Sequence, residues 1–581
     1  MATEIPDPHE LHTALQTAAL RCSERCLYHS AKWAAEMLNS LPPLTLPKEQ
    51  LLQAYLHPAS SSASEAQLEL QELSTFLLAR SYFDLHEYDR CSFVLERCRS
   101  AKAHFLRLYS RYIAGEKRKD EDSEMVLGPL DGAVTGNREL QGILVELEGI
   151  FHDRGLADLT EDDSWLLFLY GVVLAKQKNE AQAREILIKS VGLYPYNWAA
   201  WQELGATLST LADLNLILHK LPNNIMTNLF VLSTNQELYQ TTDPIHQQLT
   251  DLLHLFPRSS WLQTQRALLH YHARDFEEAE TIFDALTKSD PHRLDALDHY
   301  SNILYVMERR PKLAYIAQLA SSTDKFRPET CCVIGNYYSL ASEHEKAVMY
   351  FRRALTLDRS FLSAWTLMGH EYVEMKNTHA AIEAYRRAVD VNRKDYRAWY
   401  GLGLSYEVLE MHYYALFYFQ RAAALRPYDP SMWQAMGNCY DRMDRPSDAI
   451  KAYKRALISV SPPRSTPISQ SNIPTSLTTA PTAARGFDPA IMVAIGQMYE
   501  KMRQPKEAAK WMEACLLEEE TNGVTPVSGR ARMWLARWEF VNENWKRAAE
   551  LANELCQDGM EVEEAKALVR DLRARLEGER G

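Results

Sequence analysis

The sequence predicts an all-α fold, a superhelical solenoid of stacked helix pairs, and three observations carry that prediction. Glycines recur at one interval: Gly335, Gly369, Gly403 and Gly437 each stand 34 residues after the last, and Gly171 to Gly205 repeats the step. Small residues recur in the same phase. Bulky aromatic residues recur between them, at fixed offsets from each glycine.

A 34-residue period is that of the tetratricopeptide repeat, a helix–turn–helix unit. With repeats framed from 260, 294, 328, 362, 396 and 430, the eighth position is Ala267, Ser301, Gly335, Gly369, Gly403 and Gly437. The twentieth is Ala279, Leu313, Ala347, Ala381, Ala415 and Ala449, and the twenty-seventh is Leu286, Ala320, Ala354, Ala388, Ala422 and Ala456. Small side chains let two antiparallel helices approach. Large ones fill the space beside them: Trp365, Trp399 and Trp433 at the fourth position, Tyr372, Tyr406 and Tyr440 at the eleventh, and Phe351, Tyr385, Phe419 and Tyr453 at the twenty-fourth. Pro291 and Pro427 at the thirty-second position stop second helices, where Arg359 and Arg393 stand elsewhere.

Taken in order, residues 1–160 read as N-terminal helical repeats, with a helical pair over 9–41 and "LLARSYFDLHEYDRCSFVLERC" placing Ala79, Tyr82, Cys91 and Leu95 at template positions. "GEKRKDEDSE" at 115–124, followed by Gly and Pro, reads as part of an exposed charged loop near 115–137. Residues 161–259 hold two central repeats. The one from 164 places Gly171, Ala183, Leu187 and Pro195; the one from 198 has Trp201, Leu204 and Gly205 before its pattern dissolves between 210 and 258.

Six regular repeats then fill 260–460. Residues 461–488, "SPPRSTPISQSNIPTSLTTAPTAARGFD", are dominated by Ser, Thr and Pro, which bury too little apolar surface to fold, so a disordered insertion is expected. Ser461-Pro462 and Thr466-Pro467 in it suit a proline-directed kinase, whose phosphate would add about two negative charges. Over 489–581, Gly496, Tyr499 and Ala508 fit one repeat and Ala536 with Ala548 a last one, followed by a terminal helix.

Several function classes are disfavoured. With 64 Lys+Arg against 77 Asp+Glu, a net charge of −13 and no long basic run, no nucleic-acid partner is expected. The longest apolar run, "WLLFLYGVVLA" at 165–175, is too short for the roughly 20 residues that span a bilayer, so no membrane partner is expected. "MATEIPDPHE" lacks the order of a secretory signal, which indicates a reducing compartment. Nine cysteines include no Cys-x-x-Cys, so Cys22, Cys26, Cys331 and Cys332 read as small buried residues.

Catalysis finds no support either, since no His-Glu-x-x-His, Walker loop or Gly-x-Ser-x-Gly elbow occurs. The near-miss is "AWTLMGHEYVEMKNTHAAIEAYRRA", in which His370 and Glu374 could touch one ion but lack a third ligand. Neither cofactor nor metal is expected, and the chain reads as a non-enzyme.

Stacked repeats coil so that their first helices line a concave groove. The second, fifth, ninth, twelfth and thirteenth positions face it, and they hold Asp298, Asn302 and Tyr305; Asn336 and Ser339; Thr366, His370 and Glu374; Tyr400 and Glu407; and Gln434, Asn438 and Asp441. Amides in register (Asn302, Asn336, Asn438), an aromatic (Tyr400) and an acidic run (Glu374, Glu407, Asp441) suit an extended peptide carrying Arg or Lys. The bland alternative is an ordinary solvated helix face. A co-chaperone adaptor would need Lys and Arg to grip a carboxylate, whereas the groove positions hold Cys332, Thr366, Tyr400 and Glu407.

The runs "ETCCVIGNYYSLASEHEKAVMYFRRALTLD", "AWTLMGHEYVEMKNTHAAIEAYRRAV" and "RKDYRAWYGLGLSYEVLEM", with "SYFDLHEYDRC" and "YSRYIAGEKRKDED" nearer the N-terminus, resemble the cell division cycle protein 23 family, subunit eight of the anaphase-promoting complex (cyclosome). The resemblance implies a non-catalytic scaffold of a multi-subunit ubiquitin ligase that drives mitotic exit by marking cyclins and securin, with the RING chemistry in other subunits. It implies a homodimer through the N-terminal repeats, stacking on related tetratricopeptide subunits, small accessory subunits, and a location in nucleus and cytoplasm. It also implies that a C-terminal groove receives the basic, aromatic-containing C box of coactivators. By matching motif the groove residues are Asn336 in "GNYYS", His370 and Glu374 in "GHEYVEM", Asn377 in "KNT" and Tyr400 in "WYGLG". The 461–488 insertion reads as lineage-specific, and "RLEGERG" at the end leaves regulation through a C-terminal tail unexpected.

Overall fold

A computed structural model describes residues 8–42, 63–123, 136–154, 159–240, 242–460, 488–517, 519, 523–558 and 562–578. Among the described residues the regular elements are 29 α-helices and one short 3-10 turn. They fall into two compact units, residues 1–359 and 360–581, so the division lies inside the run of regular repeats.

The period has a local steric cause. In the 362 repeat, Leu362–Glu374 packs on Thr378–Val391, and a Cβ added to Gly369 would lie 2.5 Å from the ring of Tyr385. No side chain fits there. Gly335, Gly403 and Gly437 are held the same way by Phe351, Phe419 and Tyr453, and Gly171 and Gly496 by the aliphatic Leu187 and Met512. Position eight is bare so that position 24 can reach the backbone.

The turn between the two helices is equally regular. Its residue fifteen is left-handed in repeat after repeat: Arg274, Glu308, Ser342, Lys376, Glu410 and Asp444 all have positive φ. In the 362 repeat Lys376 N–H donates to Val373 O at 2.9 Å and Asn377 N–H to Tyr372 O at 2.8 Å. These two bonds close a Schellman motif and satisfy carbonyls at the helix end. The residues outside the strict period use it too, with positive φ at Cys26, His86, Lys178, Tyr239, Arg503 and Glu543.

That left-handed turn is missing from the irregular stretch, where no residue between Lys178 and Tyr239 has positive φ. Trp198–Ala206 pairs in sequence with a second helix of only eight residues, Leu211–Leu218, entered through a reciprocal cap between Thr210 and Asp213. A complete further pair follows, Ile225–Glu237 and Asp243–Leu255, turning at Tyr239. The shortened pair shifts the phase, and the period then resumes at 260.

The charged stretch at 115–124 is not a loop where it is described: Ala101–Ser123 is one helix through it. Its charges are partnered rather than merely solvated. Arg118 pairs with Asp89 at 2.7 Å and Glu139 at 3.3 Å, and Lys119 with Glu116 at 3.1 Å. Gly115 lies beneath the Asn137 amide, which donates to Tyr112 O at 3.1 Å and Glu116 Oε1 at 3.0 Å. Charge density alone does not distinguish a loop from a salt-bridged helix. Residues 461–487, with Ser461 and Thr466, lie outside the described residues.

Neighbouring repeats are bolted together at two levels. Position-four indoles donate to the carbonyl of the preceding thirty-second position: Trp201 to Pro195 at 2.6 Å, Trp399 to Arg393 at 2.9 Å and Trp433 to Pro427 at 2.8 Å. Position-25 cations donate to the next eleventh-position hydroxyl, Arg386 to Tyr406 at 2.6 Å and Lys454 to Tyr499 at 3.0 Å. First helices also touch first helices, as Leu297–Val306 does Pro328–Leu340 in the first unit and Leu362–Glu374 does Tyr396–Val408 in the second. They line the inside of each curve. Among the described residues no helix is long and apolar enough to cross a membrane; the 165–175 run is a core helix.

Gly369→Ala is expected to destabilise the fold by roughly 1–3 kcal/mol, the cost of overpacking, whereas Gly192→Ala, where nothing lies within 4 Å, should be neutral or stabilising by up to about 1 kcal/mol. Lys376→Gly should stabilise by up to about 1 kcal/mol, because glycine adopts the left-handed turn without penalty. Thermal and denaturant midpoints of the purified chain measure all three.

Candidate functional site

The residues expected to line a groove separate into structural and accessible sets. In the first unit, Asn336 Nδ2 donates to Asn302 Oδ1 at 2.7 Å and to Ser301 Oγ at 2.8 Å. Asn302 is 8 % and Asn336 2 % exposed. The amides in register therefore meet each other between two closely packed first helices instead of facing outward. Asn336→Ala would strip Asn302 of a buried donor, so it reports on packing and not on ligand contact. Asp298 and Ser339 are buried as well, and Tyr305 is exposed.

In the second unit Thr366 is buried and donates to Asp395 Oδ2 at 3.1 Å. Asp395 in turn caps Tyr396–Val408, accepting from the Arg397 backbone and from its Nε, each at 3.1 Å. Asn377 is exposed but its Oδ1 accepts from Ala380 N–H at 3.3 Å, which makes it the cap of Thr378–Val391 at the turn. Asp441 forms an ion pair with Lys501 of the following repeat. Thr366 and Asn377 thus serve the fold, and the carboxylate of Asp441 is already matched.

In the second unit the groove side chains that remain accessible include His370, Glu374 and Asn438, exposed, with Tyr400, Glu407 and Gln434 half-buried between them in sequence. Two are held from behind by tyrosine hydroxyls of their own repeats. His370 Nδ1 and Tyr385 Oη share a hydrogen bond of 2.7 Å, and Tyr453 Oη donates to Asn438 Oδ1 at 2.7 Å. Tyr400 leans on the Phe419 ring with centroids 5.4 Å apart. A pattern in the sequence points to this support. Where position 24 is Tyr, position nine is a hydrogen-bonding residue that faces it; where position 24 is Phe351 or Phe419, position nine is Asn336, turned to Asn302, or Leu404.

The electrostatics of the strip favour a cationic ligand. Burial raises the Glu407 pKa, with nearby His412 and Arg442 opposing, so a further positive charge would stabilise its ionised form. Although His370 is solvent-accessible, the protein around it desolvates the imidazolium and lowers its pKa, with Arg397 acting in the same direction and Asp395 against. Neutral His370 can take part in the Tyr385 bond without repelling an incoming cation. Among the described residues no group of three or more His, Cys, Asp or Glu is gathered as a metal site.

A lowered folded pKa means that the unfolded chain binds the proton more tightly. The contribution of neutral His370 is then complete above its ordinary value of 6.5 and is lost as pH falls below it. His370→Asn copies the arrangement at Asn438 without a titrating group. It should match the parent in thermal midpoint near about pH 7.5 and exceed it near about pH 5, as read by melting in the two buffers.

Comparison with known proteins identifies the family. Residues 10–267 match the family model described as "Anaphase promoting complex subunit 8 / Cdc23", and tetratricopeptide models match 328–361, 366–430, 430–457 and 489–522. The chain is 38% identical to the anaphase-promoting complex subunit CDC23 of Saccharomyces cerevisiae over 98% of each protein. It is 40% identical to subunit 8 of Arabidopsis thaliana over 63% of this chain and 66% of that one, and 38% identical to the human cell division cycle protein 23 homolog over 54% and 50%. The crystal structure of the APC/C hetero-tetramer Cut9-Hcn1 shares the fold, with a TM-score of 0.51 and 18% identity over 88% of this chain and 99% of that one. A full-length relative at this identity, with the family match in the N-terminal half and repeat matches beyond it, establishes that the chain belongs to the anaphase promoting complex subunit 8 / Cdc23 family.

Proposed function

We propose that the chain is a non-catalytic scaffold subunit of the anaphase-promoting complex (cyclosome) ubiquitin ligase, and that the first-helix face of its second unit receives the C-box peptide of a coactivator. The observation that carries the peptide reading is the strip itself: exposed His370, Glu374 and Asn438, two of them oriented by buried tyrosines, flank Tyr400 and Glu407. An extended peptide can bond its backbone to the amide and imidazole, lay an apolar side chain on Tyr400, and place a guanidinium against Glu374 or Glu407. The same family membership supports stacking on related tetratricopeptide subunits, binding of small accessory subunits, a homodimer through the N-terminal repeats, a nuclear and cytoplasmic location, and a role in mitotic progression. A co-chaperone adaptor is the weaker reading. Thr366 and Cys332 are buried and the remaining clamp positions are Tyr400 and Glu407, which offer no cation to a carboxylate.

Two measurements test the proposal. Affinity purification of the tagged chain followed by mass spectrometry should return the other cyclosome subunits; chaperones alone would overturn the assignment. In fluorescence anisotropy with a labelled C-box peptide, Glu374→Lys and Tyr400→Ala should each weaken binding about tenfold or more, with unchanged helical circular dichroism. The same affinity in both variants would remove the strip as the binding face.

A further inference from the structure

The seat of Tyr385 is bounded by two glycines rather than one. A Cβ on Gly369 would lie 2.5 Å from its ring, and so would a Cβ on Gly401, at the sixth position of the next first helix. The sixth position is Val333, Leu367 or Ala435 in other repeats. Two bare backbones let the ring pass between Leu362–Glu374 and Tyr396–Val408, so that its hydroxyl meets His370 Nδ1 at 2.7 Å. Tyr453, seated on Gly437 alone, reaches Asn438 Oδ1 at 2.7 Å.

These two bonds have a direction. Tyr385 and Tyr453 are 1 % and 2 % exposed, and among the described residues their hydroxyls have no other hydrogen-bond partner. A buried O–H donates to the acceptor within reach, so His370 Nδ1 and Asn438 Oδ1 both accept. His370 is neutral at ordinary pH, because desolvation by the surrounding protein takes its pKa down to about 4. A neutral ring that accepts at Nδ1 carries its proton on Nε2, across the ring from Tyr385. Asn438 likewise keeps its amide N–H groups for a ligand. The exposed strip therefore shows N–H donors at two places, two repeats apart, with Tyr400 and Glu407 between them in sequence.

We propose that Tyr385 and Tyr453 are positioning residues that hold His370 and Asn438 as N–H donors to main-chain carbonyls of the bound peptide. This rests on the coactivator-peptide reading and adds to it which atoms of the peptide are read and what aims the groups that read them. Main-chain carbonyls are free in an extended segment and bonded internally in a helix, so donors of this kind select extended chain whatever its side chains. The Tyr400 ring and the carboxylates of Glu374 and Glu407 then choose among extended segments by side chain. Phe351 and Phe419 occupy the equivalent seats of their own repeats, so Tyr385→Phe and Tyr453→Phe remove the aiming bond and keep the packing.

Anisotropy with the labelled C-box peptide and the full chain decides it. Tyr385→Phe should weaken binding about three- to tenfold in the parent and change nothing in a His370→Ala background, and Tyr453→Phe should behave the same way with Asn438→Ala. Equal weakening in both backgrounds would mean that the hydroxyls act through the fold, and would overturn the proposal. Asn438→Asp keeps the oxygen that Tyr453 bonds but puts a carboxylate oxygen where the outward donor stood. It should weaken binding about threefold or more. Unchanged or tighter binding, the result expected if a basic peptide senses only the added negative charge, would overturn the donor assignment. Glu374→Lys is measured alongside to separate the two readings. If it weakens binding while Tyr385→Phe and Tyr453→Phe are silent, the strip stands and the positioning role falls; if all of these variants bind like the parent, the strip falls and this proposal with it.

Discussion

One contact, repeated along the chain, underlies the rest of the structure: a side chain from the second helix seated on the bare backbone of the first. At Gly369 the ring of Tyr385 occupies the space of a missing Cβ, and Gly335, Gly403 and Gly437 hold Phe351, Phe419 and Tyr453 in the same way. The approach sets the separation of the two helices. The separation in turn sets where the next first helix can pack, and so the curvature of the array and the face it presents.

That core contact also reaches the surface. A tyrosine pushed across the glycine brings its hydroxyl to the far side of the first helix, where Tyr385 meets His370 and Tyr453 meets Asn438. Phenylalanine in the same seat has no such reach. Residues that pack the repeat thereby orient residues of the accessible strip, and a change in the core at position 24 should be felt at position nine. The accessible strip inherits its rigidity from buried aromatic rings.

The amides and acids that looked equivalent along one helical face divide according to how near their neighbours lie. Asn302 and Asn336 are drawn into the seam between two first helices and satisfy each other there. Asp441 meets Lys501, and Asn377 turns back to cap a helix. His370, Glu374, Tyr400, Glu407 and Asn438 keep an accessible surface. Periodicity places a side chain on a face, but only the distance to the adjacent helix decides whether that face is a surface or an interface.

Much of this was legible in the residues alone. The 34-residue step of glycines, the small residues at positions 20 and 27 and the aromatics at 4, 11 and 24 determine helix pairs and their stacking, because each is a short-range steric requirement written at a fixed offset. The shortened pair at 198–218, the helical course of 115–123 and the return of Pro8–Ser40 to Trp198, Trp261 and Asp295 were not. Nor was the sorting of the groove residues. Those outcomes depend on groups tens to hundreds of residues apart or on the spacing between neighbouring helices. Local pattern determines what each repeat is, while its surroundings in three dimensions decide which of its polar side chains remain available.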